Sequence, residues 1–81
     1  MTVRVVPFAR VRELLGFAAR DIELPAGATA GDAWTALAAG SASLSTLERS
    51  TRLARNGVFV AADAPLGDGD ELALLPPVGG G

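Results

Sequence analysis

Residues 29–40 have the sequence TAGDAWTALAAG, and they predict the main helix of the chain. Thr29 with an acid three positions later is a variant of the capping box, in which two side chains satisfy backbone N–H groups at a helix start. Four apolar residues then recur at the helical spacing of i, i+3, i+4 and i+7: Ala30, Ala33, Trp34 and Leu37. Gly40 is a typical stop. The stretch therefore predicts an amphipathic helix in which Trp34 is a core residue rather than a stacking platform.

A hairpin is predicted on the C-terminal side of this helix. Asn56-Gly57 lies between the short runs 53–55 and 58–60, which is the strongest local signal for a two-residue hairpin with a type I′ turn. Residues 64–70 are rich in Gly and Asp and predict a turn. This turn leads into a final strand that ends at Leu75.

The N-terminal side of the helix predicts two strands and a short helix. Residues 3–8 and 20–24 have the apolar patterns of strands. Residues 9–16 place apolar side chains at helical spacing before a terminating glycine. Residues 41–51 are Ser-rich and predict an irregular or briefly helical connection.

This order of elements predicts an α+β fold of the ubiquitin-like β-grasp type. About five short strands and one main helix are most simply accommodated when the helix packs across one face of a mixed sheet. We expect residues 1–75 to form this domain and residues 76–81 to form an extended, flexible C-terminal tail.

Composition excludes several classes of function. The 81 residues contain no Cys and no His, which excludes a thiolate, an imidazole base and most transition-metal sites. All seven basic residues are Arg and the net charge is −2, which argues against a nucleic-acid binder. The acidic turn is not a calcium loop, because counting from Asp68 as position 1 puts Leu72 at a ligand position. No metal site is predicted.

The absence of Cys fits a reducing compartment, and no apolar run approaches the length of a membrane span. Arg4 and Pro7 come too early for a secretory signal. We expect a cytoplasmic protein that binds neither membranes nor nucleic acid.

The last six residues, PPVGGG, predict a projecting segment. Pro76 and Pro77 favour an extended exit, and six residues at roughly 3.3 Å each reach about 20 Å from the body. The glycines have no Cβ and fit a channel too narrow for side chains. The carboxylate of Gly81 is then the least hindered candidate for covalent chemistry, although a terminal Gly run is also typical of a frayed end.

Three stretches resemble a known family. FARVREL at residues 8–14, DGDE at residues 68–71 and PPVGGG at residues 76–81 are similar to motifs of the MoaD/ThiS family of ubiquitin-like sulfur carriers, in particular the small subunits of molybdopterin synthase. The similarity extends over the whole chain.

The resemblance implies a sulfur carrier of molybdenum cofactor biosynthesis, which is not an enzyme by itself. It implies that a ubiquitin-activator-like adenylyltransferase uses ATP to adenylate the C-terminal Gly, and that a persulfide donor converts the adenylate to a thiocarboxylate. The thiocarboxylate then gives its sulfur to a pterin precursor within the large catalytic subunit, in a complex that the resemblance implies to be a heterotetramer. The carrier itself holds no permanent cofactor.

The resemblance also implies the site residues. Gly81 is the modified terminus, and the remainder of the threaded tail is Pro76, Pro77, Val78, Gly79 and Gly80. The family's partner-docking patch falls on Phe8, Phe59 and Leu75, and strand alternation places these three away from their apolar neighbours. A second small core is the alternative explanation for them. Arg12 matches a loop Arg of the family, and an ordinary surface role for it is equally open.

Two residues depart from the family pattern. Pro7 replaces an aromatic residue, so the extent to which the first strand pairs is in question. Arg55 stands where an apolar residue is usual. Three alternative functions remain open: a carrier for thiazole or cysteine synthesis, a ubiquitin-like modifier of lysines, and an interaction module with an inert tail.

Overall fold

The computed structural model describes residues 1–77. Five strands form one sheet: β1 is Thr2–Pro7, β2 Arg20–Glu23, β3 Arg52–Arg55, β4 Val58–Val60 and β5 Glu71–Leu75. The helices are α1 Ala9–Leu15, α2 Ala30–Ala38 and α3 Ala42–Ser45, and a 3₁₀ turn follows at Glu48–Ser50. Residues 41–51 are thus briefly helical, as their sequence indicates.

The sheet has the order β2-β1-β5-β3-β4. β1 and β5 are parallel, and the other neighbouring pairs are antiparallel. The C-terminal strand therefore lies at the centre of a mixed sheet, and β4 lies at one edge. This confirms the predicted fold class.

Helix α2 begins and packs as its sequence predicts. Thr29 Oγ1 accepts from the Asp32 N–H at 3.1 Å, and Asp32 Oδ2 accepts from the Thr29 N–H at 2.9 Å, which completes the capping box. Trp34 is buried, and it belongs to one core cluster with strand residues such as Val5 and Leu72. Small side chains of α2, such as Ala30 and Ala33, are fully buried, and Trp34 packs in the same core cluster.

Two local turns are also confirmed. Gly16 ends α1 in the left-handed region at φ 81°, which a residue with a Cβ adopts only at a cost. Asn56 and Gly57 have φ of 51° and 84°, the pattern of a type I′ turn, and Arg55 pairs with Val58 across it.

The two residues that depart from the family pattern are accommodated. Pro7 is buried and still pairs in register with Leu74, so the first strand pairs along its whole length. The Arg55 Nη1 donates to the Pro65 carbonyl at 2.7 Å, which keeps the guanidinium out of the core.

Two carboxylates of the acidic turn before β5 form hydrogen bonds that link separate parts of the fold. Asp70 Oδ1 accepts from the Asn56 side-chain amide at 2.9 Å, and Asp70 Oδ2 accepts from the Gly67 N–H at 2.7 Å. Asp68 Oδ1 accepts from the Thr2 N–H at 2.7 Å. These carboxylates join the hairpin and β1 to the entry of β5. The hydrogen bond from Asn56, followed by the one from Gly67, lowers the pKa of Asp70.

Candidate functional site

The sheet face opposite the core carries the residues that the sequence assigns to partner docking. We call it the outer face. Across β1, β5, β3 and β4, one row of it consists of Val6, Ala73, Ala54 and Phe59, because each of these residues pairs with the next. Leu75 pairs with Arg52 in the following row. Among these residues only Ala54 is buried, and it lies outside the core cluster.

The outer face is charged at one end and apolar at the other. Near the start of β5, Arg4 pairs with Glu71 in register, and Arg4 Nε lies 3.3 Å from Asp21 Oδ1. The apolar end lies where β5 finishes. Phe59 is 54% exposed and Phe8 is 44% exposed, which is uncommon for large apolar side chains. Exposed apolar surface of this kind is typical of interaction sites.

Phe8 lies beside Leu75, the last residue of β5. The Phe8 N–H donates to the Leu74 carbonyl at 3.0 Å, one residue beyond the last pair of β1 and β5. Phe8 is thus the first residue after β1 and not part of the strand. Ala9 follows in the left-handed region at φ 48° and turns the chain into α1.

Phe59 shares the outer face with Leu75 but does not adjoin it. It lies on the edge strand β4, and β3 separates it from β5. Two strand spacings correspond to about 10 Å between these positions. The three apolar residues therefore line a broad surface, which we call the docking patch, rather than a compact cluster.

Arg12 lies beside this patch. Its N–H donates to the Phe8 carbonyl at 3.2 Å, so Arg12 is one turn further along α1. Its side chain is exposed, and it makes no ion pair within residues 1–77. A guanidinium in this position is available to a carboxylate of a docked protein.

Sequence reasoning missed one residue of the patch. The Arg52 guanidinium lies over the Phe59 ring, 3.8 Å from its centroid. Such a cation–π contact holds both side chains in place. Strand register could have indicated this contact. Phe59 pairs with Ala54 in β3, and Arg52 lies two residues before Ala54 on the same face. Side chains in such diagonal positions on neighbouring strands can reach each other.

The chain leaves the domain beside the docking patch. β5 is held by β1 on one side and β3 on the other, and Leu75 is its last residue. Pro76 follows, and Pro77 is exposed. Val78, Gly79, Gly80 and Gly81 lie outside the described residues, so the roles assigned to them stay predictions.

Within residues 1–77, no group of three or more metal-ligating side chains is placed to hold a metal ion. No helix of that part of the chain is long and apolar enough to cross a membrane.

The strand order and the helices packed across the sheet define a ubiquitin-like β-grasp protein, a class to which similar solved structures belong. The chain itself belongs to the ThiS family, whose sequence profile matches residues 5–81. The family resemblance carried by the three motifs is thereby confirmed.

Two proteins that are similar to the chain have names that refer to molybdopterin. The chain is 33% identical over 79 residues to the molybdopterin synthase sulfur carrier subunit of Arabidopsis thaliana, covering 98% of this chain and 82% of the relative. A structure of the putative molybdopterin converting factor subunit 1 of Pyrococcus furiosus is 31% identical with a TM-score of 0.84, covering 96% of this chain and 99% of the other.

Two further solved structures are similar to the chain, one of a modifier protein and one from a complex of two subunits. SAMP1 of Haloferax volcanii, a small archaeal modifier protein, is 31% identical with a TM-score of 0.82 over the whole of both chains. A chain from the complex of subunits 1 and 2 of the molybdopterin-converting factor of Helicobacter pylori is 26% identical with a TM-score of 0.69, again over the whole of both chains.

Proposed function

We propose that this chain is the sulfur carrier subunit of a molybdopterin synthase. The observation that carries the proposal is the position of the central strand β5, which ends at Leu75 beside an exposed apolar patch. A protein that docks there lies next to the point where the chain leaves the domain. The name of the Arabidopsis relative and the family match support the same role.

In this proposal the Gly81 carboxylate is the reacting group. One carboxylate oxygen attacks the α-phosphorus of ATP held by a ubiquitin-activator-like adenylyltransferase, pyrophosphate leaves, and an acyl-adenylate forms. The terminal sulfur of a persulfide on the donor attacks the acyl carbon and AMP leaves. A thiol of the donor then cleaves the resulting acyl disulfide, which gives a C-terminal thiocarboxylate and a donor disulfide.

The thiocarboxylate is a soft and strong nucleophile on a tether. The chain supplies recognition through Phe8, Phe59, Leu75 and Arg12 and reach through its tail, and the partners supply the catalytic groups and ATP. The large catalytic subunit accepts the tail and uses the sulfur on the pterin precursor, and the carrier returns to its carboxylate. We expect a heterotetramer of two carriers and two large subunits, and the Helicobacter pylori complex supports a partner of this kind.

A ubiquitin-like modifier is the second candidate, because the chain is as similar to SAMP1 as to the converting-factor subunit. Both functions begin with the same acyl-adenylate and differ in what attacks it. In a carrier, sulfur attacks the activated carboxylate. In a modifier, the carboxylate is finally joined to the amine of a lysine on a target protein. Carriers of the thiazole or cysteine pathways differ only in the final acceptor of the sulfur.

A reconstitution experiment distinguishes these functions. The carrier, prepared as its C-terminal thiocarboxylate, is mixed with the large synthase subunit and the pterin precursor, and dithiolene product is measured by mass spectrometry. We expect one sulfur transferred per carrier, and none from the carboxylate form. Lysine conjugates in a cell extract together with no product from the purified pair would favour the modifier instead.

A further inference from the structure

A second surface adjoins the docking patch between α2 and the edge strand β4, and Phe59 and Arg52 belong to both surfaces. It is a groove with a volume of about 740 Å³. The N-terminal half of α2 forms one wall, and residues 59–63 form the other. Trp34 and Leu53 also line it, together with Glu48 and Arg52 from the segment that leads into β3.

One buried donor in this groove lacks a partner. Trp34 is only 3% exposed, and its indole Nε1 makes no hydrogen bond within residues 1–77. A buried donor without an acceptor is destabilising, because it has lost its hydrogen bonds to water, and such groups are uncommon in folded proteins. Trp34 lines the groove, but its Nε1 is itself covered by neighbouring atoms, so an acceptor bound there reaches it only after one of those groups moves.

The wall formed by β4 also has free hydrogen-bonding groups. Arg55 and Val58 flank the two-residue turn and form a hydrogen-bonded pair, so the next pair, Ala54 and Phe59, is of the non-hydrogen-bonded kind. The backbone N–H and C=O of Phe59 therefore point away from β3. No strand within residues 1–77 pairs with that edge. An extended segment can be added to such an edge.

The charges of the groove select a cationic occupant. Three carboxylates line it, from Asp32, Glu48 and Asp63, against one guanidinium. That guanidinium, of Arg52, is stacked on the Phe59 ring. The carboxylate of Asp32 caps α2, whereas Glu48 and Asp63 are exposed and make no hydrogen bond or ion pair within residues 1–77.

We propose that this groove binds an extended, basic segment of a partner protein. The segment lies along β4, and its backbone exchanges hydrogen bonds with the N–H and C=O of Phe59. Its Arg or Lys side chains reach Glu48 and Asp63, and one of its carbonyl oxygens accepts from Trp34 Nε1. Since Nε1 is buried, a side chain that lines the groove must move aside when the segment binds. This site does not depend on the chemistry of Gly81.

The test uses an acetylated and amidated five-residue peptide of alternating valine and arginine, titrated into the full-length protein labelled with ¹⁵N. Trp34 is the only tryptophan, so its indole N–H gives a single resonance. We expect that resonance to shift downfield, and the Phe59 amide to become protected from hydrogen exchange. The matched control is the same peptide with glutamate in place of arginine, which should not bind.

Two substitutions test the charges without touching the core. Glu48→Gln and Asp63→Asn should each weaken binding of the arginine peptide by roughly two- to fivefold, the size of one exposed ion pair. Glu13→Gln, on α1 and outside the groove, is the control and should leave the affinity unchanged.

Three results would overturn the proposal. The first is equal binding of the arginine and glutamate peptides, or binding of neither. The second is arginine-peptide binding that shifts Phe8 and Leu75 but not the Trp34 indole. The third is an indole shift on dilution of the protein alone, which would mean that a second copy of the chain occupies the groove.

Discussion

Phe59→Ala tests whether the exposed end of the outer face is the docking patch. Phe59 is 54% exposed, so about half of its side chain is still available to a partner. Complete burial of a Phe side chain is worth about 1.5–3 kcal/mol, so burial of the exposed half of Phe59 in the complex is worth about 0.8–1.6 kcal/mol. The dissociation constant for the large synthase subunit should therefore rise roughly four- to fifteenfold.

The same substitution should cost little stability. A core Phe→Ala change costs about 3–5 kcal/mol, whereas a half-exposed Phe on the outer face leaves no enclosed cavity. The loss of the cation–π contact with Arg52 lowers the stability by about 0.5–1 kcal/mol, as expected for an exposed pair. The half of the Phe59 side chain that is already buried contributes about 0.7–1.4 kcal/mol. Together the two losses should lower the free energy of unfolding by about 1–2.5 kcal/mol, which thermal unfolding measures, while calorimetric titration of the large subunit measures the affinity.

Phe17→Ala is the matched control. Phe17 also carries a stacked guanidinium, from Arg20 at 4.3 Å, but it packs against the core cluster instead of lying in the docking patch. Its loss should lower stability and leave the affinity of the folded protein unchanged. The reasoning is refuted if Phe59→Ala binds as tightly as the parent, if it unfolds like a core variant, or if both substitutions weaken binding equally.

Three further predictions concern the tail and the stability of the domain. Gly80→Ala should slow ATP–pyrophosphate exchange because a Cβ obstructs a threaded tail, while Gly79→Ala should be nearly silent; equal rates would contradict threading. The pKa of Asp70 is lowered by folding, so its ionised form contributes stability that is complete above the unfolded-state pKa and is lost as the pH falls through the folded-state pKa. Asp70→Asn should therefore be less stable than the parent at pH 7. The difference between their denaturant midpoints should shrink below about pH 4. Gly31→Ala places a Cβ 3.0 Å from a carbonyl oxygen of the loop after β4 and should cost about 1–3 kcal/mol. Gly40→Ala has no atom within 4 Å and is its control; equal midpoints for these two variants would contradict the close contact.

The elements that the sequence predicts well are those that local chemistry determines. The capping box at Thr29, the Asn56-Gly57 turn and the Gly16 cap each depend on residues within a few positions of one another, and all three are present. Strand alternation likewise placed Phe59 on the outer face. The order of the elements then predicts the mixed sheet, because about five short strands and one main helix pack most simply in that way.

The features that the sequence did not predict depend on strand register or on contacts between distant residues. Asn56 and Asp70 are 14 positions apart, and their hydrogen bond exists because β5 lies beside β3. The stacking of Arg52 on Phe59 follows only from the pairing of β3 with β4, so no local pattern predicts it. The groove beside Trp34 forms between two elements, so no single stretch of sequence indicates it.

The central claim is that sulfur is carried on the C-terminal carboxylate of Gly81. The direct measurement is the intact mass of the chain, and of its C-terminal peptide, after incubation with the adenylyltransferase, ATP and a persulfide donor. We expect one sulfur-for-oxygen mass increase, confined to the C-terminal peptide. We expect no increase in a variant that lacks Gly81, whose melting temperature should equal that of the parent. The same increase in the truncated variant, or in a peptide from the body of the domain, would show that Gly81 does not carry the sulfur.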